Sequence, residues 1–171
     1  GSFDVGPSPF LDLIAATTGR FVRRVVLARP DLVETLSRRP VLFLANHQTG
    51  IESLEFMAVA GALNRLPIKV IAKQEHRTSF LGRLLELGSH ANPGNPPIEM
   101  FPADRENQTE MLGLFREISR RQLERPFSLL VHVEGTRSMR AAKPVERLSG
   151  MLLDLAIRHD LLVVPVRFVG G

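Results

Sequence analysis

Apolar residues recur at helical spacing through the first part of the chain. Phe10, Leu13, Ile14, Thr17, Phe21, Val25 and Ala28 predict an amphipathic helix over 9–28 that Pro30 ends, with a short helical turn at 31–38. The pattern then shortens. Val41-Leu42-Phe43-Leu44-Ala45 is a compact apolar run of the kind a strand buried on both faces requires, and Ser128 to Val133 is another. Lys69 to Lys73 and Ile98 to Phe101 read as further strands. Helices are expected from about Gly50 to Leu63, at 78–88, at 106–124 with Met111, Phe115, Ile118 and Gln122 on one face, and at about 148–159. Three Pro and a Gly make 91–97 a loop. Leu161 to Val169 reads as a last strand, and Pro165 marks it as an edge strand or a bulged one.

Strands alternating with helices predict an α/β fold, with a mixed and partly parallel sheet flanked by helices. No repeat or low-complexity tract divides the chain, so residues 1–171 are expected to form a single domain, an N-terminal helix followed by a core over about 40–171. Gly1-Ser2 has the look of a vector remnant, and the chain stops at Gly171 directly after a strand. Both features fit a domain cut from a longer protein.

Composition narrows the chemistry. With 44% hydrophobic and 23% charged residues, the chain has the balance of a globular domain. Cysteine is absent, which excludes disulfides, thiolate catalysis and cysteine metal sites. The net charge of +4 favours anionic partners. Nucleic acid is disfavoured among them, because Trp and Tyr are absent and the basic residues form no run of five or more. No apolar stretch approaches the roughly 18 residues of a spanning helix, and no secretory leader is recognisable. A cytoplasmic address is expected, with peripheral contact at the inner face of a membrane as an option.

Polar clusters follow three of the strands, where open α/β sheets gather ligands. Asn46-His47 follows the first run, with Glu52 five residues beyond His47. A carboxylate there would hold one imidazole nitrogen and leave the other to act as a base. Thr49-x-x-Glu52 equally fits a helix-capping box. The second cluster, Glu134-Gly135-Thr136-Arg137-Ser138, combines a permissive glycine, two hydroxyls and a guanidinium fork suited to phosphate. Lys73 ends a strand, where a lysine can also simply reach solvent. Asp104-Arg105 adds a charged pair that would equally serve as a surface ion pair.

Taken in order, these segments resemble the glycerolipid (PlsC-like) acyltransferase family, which includes lysophosphatidate and glycerol-3-phosphate acyltransferases. The family's N-H-x-x-x-x-D block is similar to Asn46-His47 with Glu52, an H-x-x-x-x-E variant. A lysine after a strand, an aromatic–glycine step and a later acidic–Arg pair are similar to Lys73, Phe80-Leu81-Gly82 and Asp104-Arg105. F-P-E-G-T-R-S is similar to residues 132–138 in its last five positions, and a V-P-V strand is similar to Val164-Pro165-Val166, with Gly170 nearby.

The resemblance implies His47 as general base and Glu52 as the acid that orients it. It implies Glu134, Gly135, Thr136 and Arg137 as binders of the acceptor's phosphate end, with Lys73 and Arg105 contributing. The donor would be acyl-CoA or acyl carrier protein, and the acceptor an anionic, lipid-like hydroxyl compound. No bound cofactor, metal or covalent acyl-enzyme is implied. The N-terminal helix would either touch a membrane peripherally or pack on the core. A lipid- or carrier-binding module that kept the fold without the chemistry is the competing expectation. The chain departs from the family pattern at three places: Glu52 replaces Asp, His132-Val133 replaces Phe-Pro, and the usual Phe-Lys near Arg147-Leu148 is missing.

Overall fold

A computed structural model of the chain describes residues 12, 16, 18–46, 52–73, 83, 98–104, 107–133 and 150–169; for residues 52–54, 58, 73 and 98 it describes the backbone alone. After a 3-10 turn at Pro30–Leu32 come α1 (Val33–Arg38), β1 (Val41–Ala45), α2 (Glu52–Leu63), β2 (Ile68–Lys73) and β3 (Ile98–Ala103). They are followed by α3 (Gln108–Glu124), β4 (Ser128–His132), α4 (Gly150–Arg158) and β5 (Leu162–Val166).

The strands form one sheet in the order β3-β2-β4-β1-β5. The α/β class is as the sequence predicts. The sheet, expected to be mixed and partly parallel, is parallel in every described pair. The reason is the connections: each of the first four strands is followed by a crossover segment long enough to return the chain to the same end of the sheet. The step from β1 to β2 runs one way across the sheet, whereas those from β3 to β4 and from β4 to β5 run the other. Right-handed crossovers therefore put α2 on one face and α3 and α4 on the opposite face.

The two halves of the core follow from this. Alternate residues of each strand point to opposite faces. Leu42, Ile71, Leu129 and Val131 pack with Met111, Phe115 and Ile118 of α3 and Leu152, Leu155 and Ala156 of α4. Val41, Phe43, Ala45, Val70 and Leu130 pack with Phe56, Met57 and Ala60 of α2. The buried residues of α3 are Met111, Phe115, Ile118 and Gln122, the face read from the sequence. Asn107 starts this helix by accepting from the Thr109 and Glu110 amides at 3.1 and 3.2 Å.

Prolines sit where a parallel sheet tolerates them. Pro165 lies in β5 and Pro102 in β3, the two edge strands, so neither removes a hydrogen bond from the centre of the ladder. The helix expected over 9–28 is shorter than its apolar pattern. Residues 12, 16 and 18–21 are helical, the Val22 amide bonds to the Thr18 carbonyl at 2.8 Å, and 22–27 carry no regular structure. Val22, Val25 and Val26 are β-branched, which weakens helix propensity. Their segment instead lines a cavity against α2 and β5. The loop at 91–97 and the basic segment at 135–147 lie outside the described residues, as does the helix at 78–88 except for Arg83, which is helical.

A polar knot closes the end of the sheet at which the strands begin. Ser128, fully buried, accepts from the Val41 amide at 2.9 Å and donates to Asn64 Oδ1 at 3.2 Å. Asn64 Nδ2 donates to the Arg39 carbonyl at 2.8 Å and also to that of Leu36. At the same end Glu99 bridges Lys69 at 2.8 Å and Arg121 at 2.7 Å, tying β3 to β2 and α3. Burial pulls the Glu99 carboxyl upward, but the hydrogen bonds and charges of Lys69 and Arg121 outweigh it and hold it below its ordinary value.

Candidate active site

Because the sheet is parallel, every strand ends at the same edge. The residues that close the strands there are Ala45, Lys73, Ala103, His132 and Val166. The sequence segments with candidate chemistry all start from this edge: His47 two residues past Ala45, Lys73 at the end of β2, Arg105 two residues past Ala103, and Glu134 two residues past His132. The strands leading to His47 and to the 134–138 segment are immediate neighbours, with Ala45 opposite His132. The strand order sets the strands that lead to these segments at one edge of the sheet.

His47, Arg105, Glu134, Gly135, Thr136 and Arg137 themselves lie outside the described residues. Glu52 is the first residue of α2 and Lys73 the last of β2, and the side chains of both lie outside as well. Among the described residues, no group of three or more His, Asp or Glu side chains could hold a metal ion.

What is described is the floor from which these segments rise. Asn46, directly before His47, extends the sheet with its side chain. Its Nδ2 donates to the Phe168 carbonyl at 3.1 Å and its Oδ1 accepts from the Phe168 amide at 2.7 Å. Its own amide reaches the Val166 carbonyl at 3.4 Å. On the other side, the Val133 amide donates to the Ala45 carbonyl at 2.9 Å. His132 Nδ1 lies 2.9 Å from the Asn46 carbonyl. A carbonyl only accepts, so Nδ1 carries the proton.

Asn46 was visible in the sequence as a motif letter and His132 as a departure from a pattern. Their hydrogen-bonding roles depend on neighbours more than 80 residues away and had no local signal.

An aromatic row runs beneath this floor on the α2 face. Phe43 meets Phe56 edge-on at 5.2 Å, Phe56 meets Phe168 at 5.8 Å, and His132 lies tilted against Phe168 at 6.3 Å between centroids. Beside the row, an apolar cavity of about 440 Å³ opens between the 22–29 segment, α2 and β5, with Val25, Leu32, Phe43, Phe56, Val59 and Val164 in its wall. Phe168 borders both the cavity and the Asn46 clamp.

The sequence model of the Acyltransferase family matches residues 29–169. The search of curated proteins gave no match.

Proposed function

Because the chain belongs to the acyltransferase family, we propose that it moves a fatty acyl group from acyl-CoA or acyl carrier protein to a hydroxyl of a glycerophosphate, lysophospholipid or related anionic acceptor, as a 1-acylglycerol-3-phosphate O-acyltransferase does. The observation that carries this reading is the convergence of the strands leading to His47, Lys73, Arg105 and Glu134 on one edge of a parallel sheet.

In this scheme His47 takes the proton of the acceptor hydroxyl, and Glu52 steadies the imidazolium that forms. The hydroxyl oxygen attacks the thioester carbonyl carbon, the carbon–sulfur bond breaks, and the thiol leaves with the proton. Backbone amides near 134–138, or at the start of α2, are suited to the developing oxyanion. Arg137, with Glu134, Gly135 and Thr136, holds the acceptor's anionic end, and Lys73 and Arg105 add positive charge.

The cavity beside Phe168, mostly apolar with Glu55 and Arg29 also in its wall, supports a hydrocarbon-bearing substrate. No helix among the described residues is long and apolar enough to cross a membrane. Peripheral contact is the mode we favour, and Phe21, Val25 and Val26 support it, standing exposed among the exposed Arg20, Arg23 and Arg24.

The test is thiol release and product mass spectrometry with mixed acyl-CoA and acyl carrier protein donors, against hydroxyl acceptors with and without phosphate. Acylation of the phosphate-bearing acceptors is expected. The absence of thiol release with every pair would overturn the reading in favour of a binding module without chemistry.

A further inference from the structure

Residues 132–133 depart from the family pattern, and both departures act on the end of β1. A phenylalanine at 132 has no ring donor, and a proline at 133 has no amide hydrogen. In this chain the His132 ring donates to the Asn46 carbonyl at 2.9 Å, and the Val133 amide donates to the Ala45 carbonyl, also at 2.9 Å. The two bonds hold the last two residues before His47.

The first bond is the more consequential. The Asn46 carbonyl and the His47 nitrogen belong to one planar peptide unit. A donor on that oxygen fixes the orientation of the plane from which His47 departs. The donor is itself well fixed: His132 is 7% exposed and its ring lies against Phe168, whose backbone the Asn46 side chain clamps from both sides. His132 also ends the strand that continues into 134–138, so the same residue joins the exits of β1 and β4.

We propose that His132 is a positioning residue for acyl transfer: through its Nδ1–H on the Asn46 carbonyl it sets the Asn46–His47 peptide plane and locks the exit of β1 to that of β4. The inference rests on His47 being the base. It attributes the effect of His132 to one hydrogen bond and not to the bulk of its ring.

Two variants separate these contributions. His132→Phe keeps a ring against Phe168 and loses the donor. His132→Asn loses the ring and keeps a nitrogen donor at the position of Nδ1. Transfer from palmitoyl-CoA to a 1-acylglycerol 3-phosphate is measured for the parent, both variants and His47→Ala, each with its melting temperature. The expected result is a loss of about tenfold or more in kcat for His132→Phe with KM near the parent, the scale on which small misplacements of a reacting group act, and recovery to within a few-fold in His132→Asn.

A parental kcat in His132→Phe overturns the proposal, and so does a His132→Asn variant that falls as far as His132→Phe. Full activity in His47→Ala instead overturns the assignment of the base. An arm independent of turnover and of variant folding is the tautomer of His132 in the parent, read by nitrogen-15 NMR. A protonated Nδ1 supports the hydrogen bond and a bare Nδ1 overturns it.

Discussion

The carboxamide of Asn46 makes two hydrogen bonds with the backbone of Phe168, its nitrogen donating at 3.1 Å and its oxygen accepting at 2.7 Å, so that a side chain continues the β1–β5 ladder past its last strand pair. Asn46→Asp keeps the acceptor but sets a carboxylate oxygen against the Phe168 carbonyl. The clamp is partly buried, so we expect a loss of about 1 kcal/mol, near the low end of the cost of leaving a polar group without its partner, together with a fall in kcat. Chemical denaturation and steady-state kinetics check this, and unchanged stability would show that the clamp contributes nothing.

Ser128→Ala probes the opposite end of the sheet. It leaves the Val41 amide without the hydroxyl it donates to at 2.9 Å. A loss of about 1–3 kcal/mol is expected by the same reasoning, with kcat at the parental value where the protein is folded. A fall in kcat of the folded variant would mean that the two ends of the sheet are coupled.

Glu99 gives a pH dependence. Its folded carboxyl lies below the ordinary value, because Lys69 and Arg121 outweigh the upward pull of burial. The ionised form is therefore favoured by folding. Its stabilisation is fully present above the unfolded value of about 4.3 and is lost as pH falls through the lower folded value. Glu99→Gln should lower the melting temperature at neutral pH, and the gap to the parent should close in acid. A gap of constant size across the titration contradicts the ion-pair account.

Val59 stands on α2 in the wall of the apolar cavity. Val59→Trp would fill part of it. If acyl chains occupy this space, competition among acyl-CoA lengths read by mass spectrometry shifts toward shorter chains. An unchanged preference places the acyl chain elsewhere.

Much of the scaffold was legible because its signals are local. β1 is read over its observed span, since a strand buried on both faces shows as an unbroken apolar run. The buried stripe of α3 follows from the spacing of Met111, Phe115, Ile118 and Gln122. Pro165 marked an edge or a bulged strand, and β5 is an edge.

The misreadings arose where long-range contacts decide. Val25 and Ala28 continue the helical spacing of Phe21, yet the chain leaves the helix after Phe21 and lies along a cavity formed with α2 and β5. The alternation of strands and helices predicted a partly parallel sheet, but the order of the strands was not available to it, because that depends on which strands pair. The candidate site was legible as segments following strands. That β1 and β4 lie side by side, with Asn46 bonded to both Phe168 and His132, emerges only once the sheet is assembled.

His47 is proposed as the base that takes the proton of the acceptor hydroxyl. This role is tested most directly by thiol release from acyl-CoA in the presence of a phosphate-bearing hydroxyl acceptor, comparing the parent with His47→Ala at equal melting temperature. A loss of about 10²-fold or more in kcat is expected, the contribution of a general base. A His47→Ala enzyme that releases thiol and forms product as fast as the parent would contradict it.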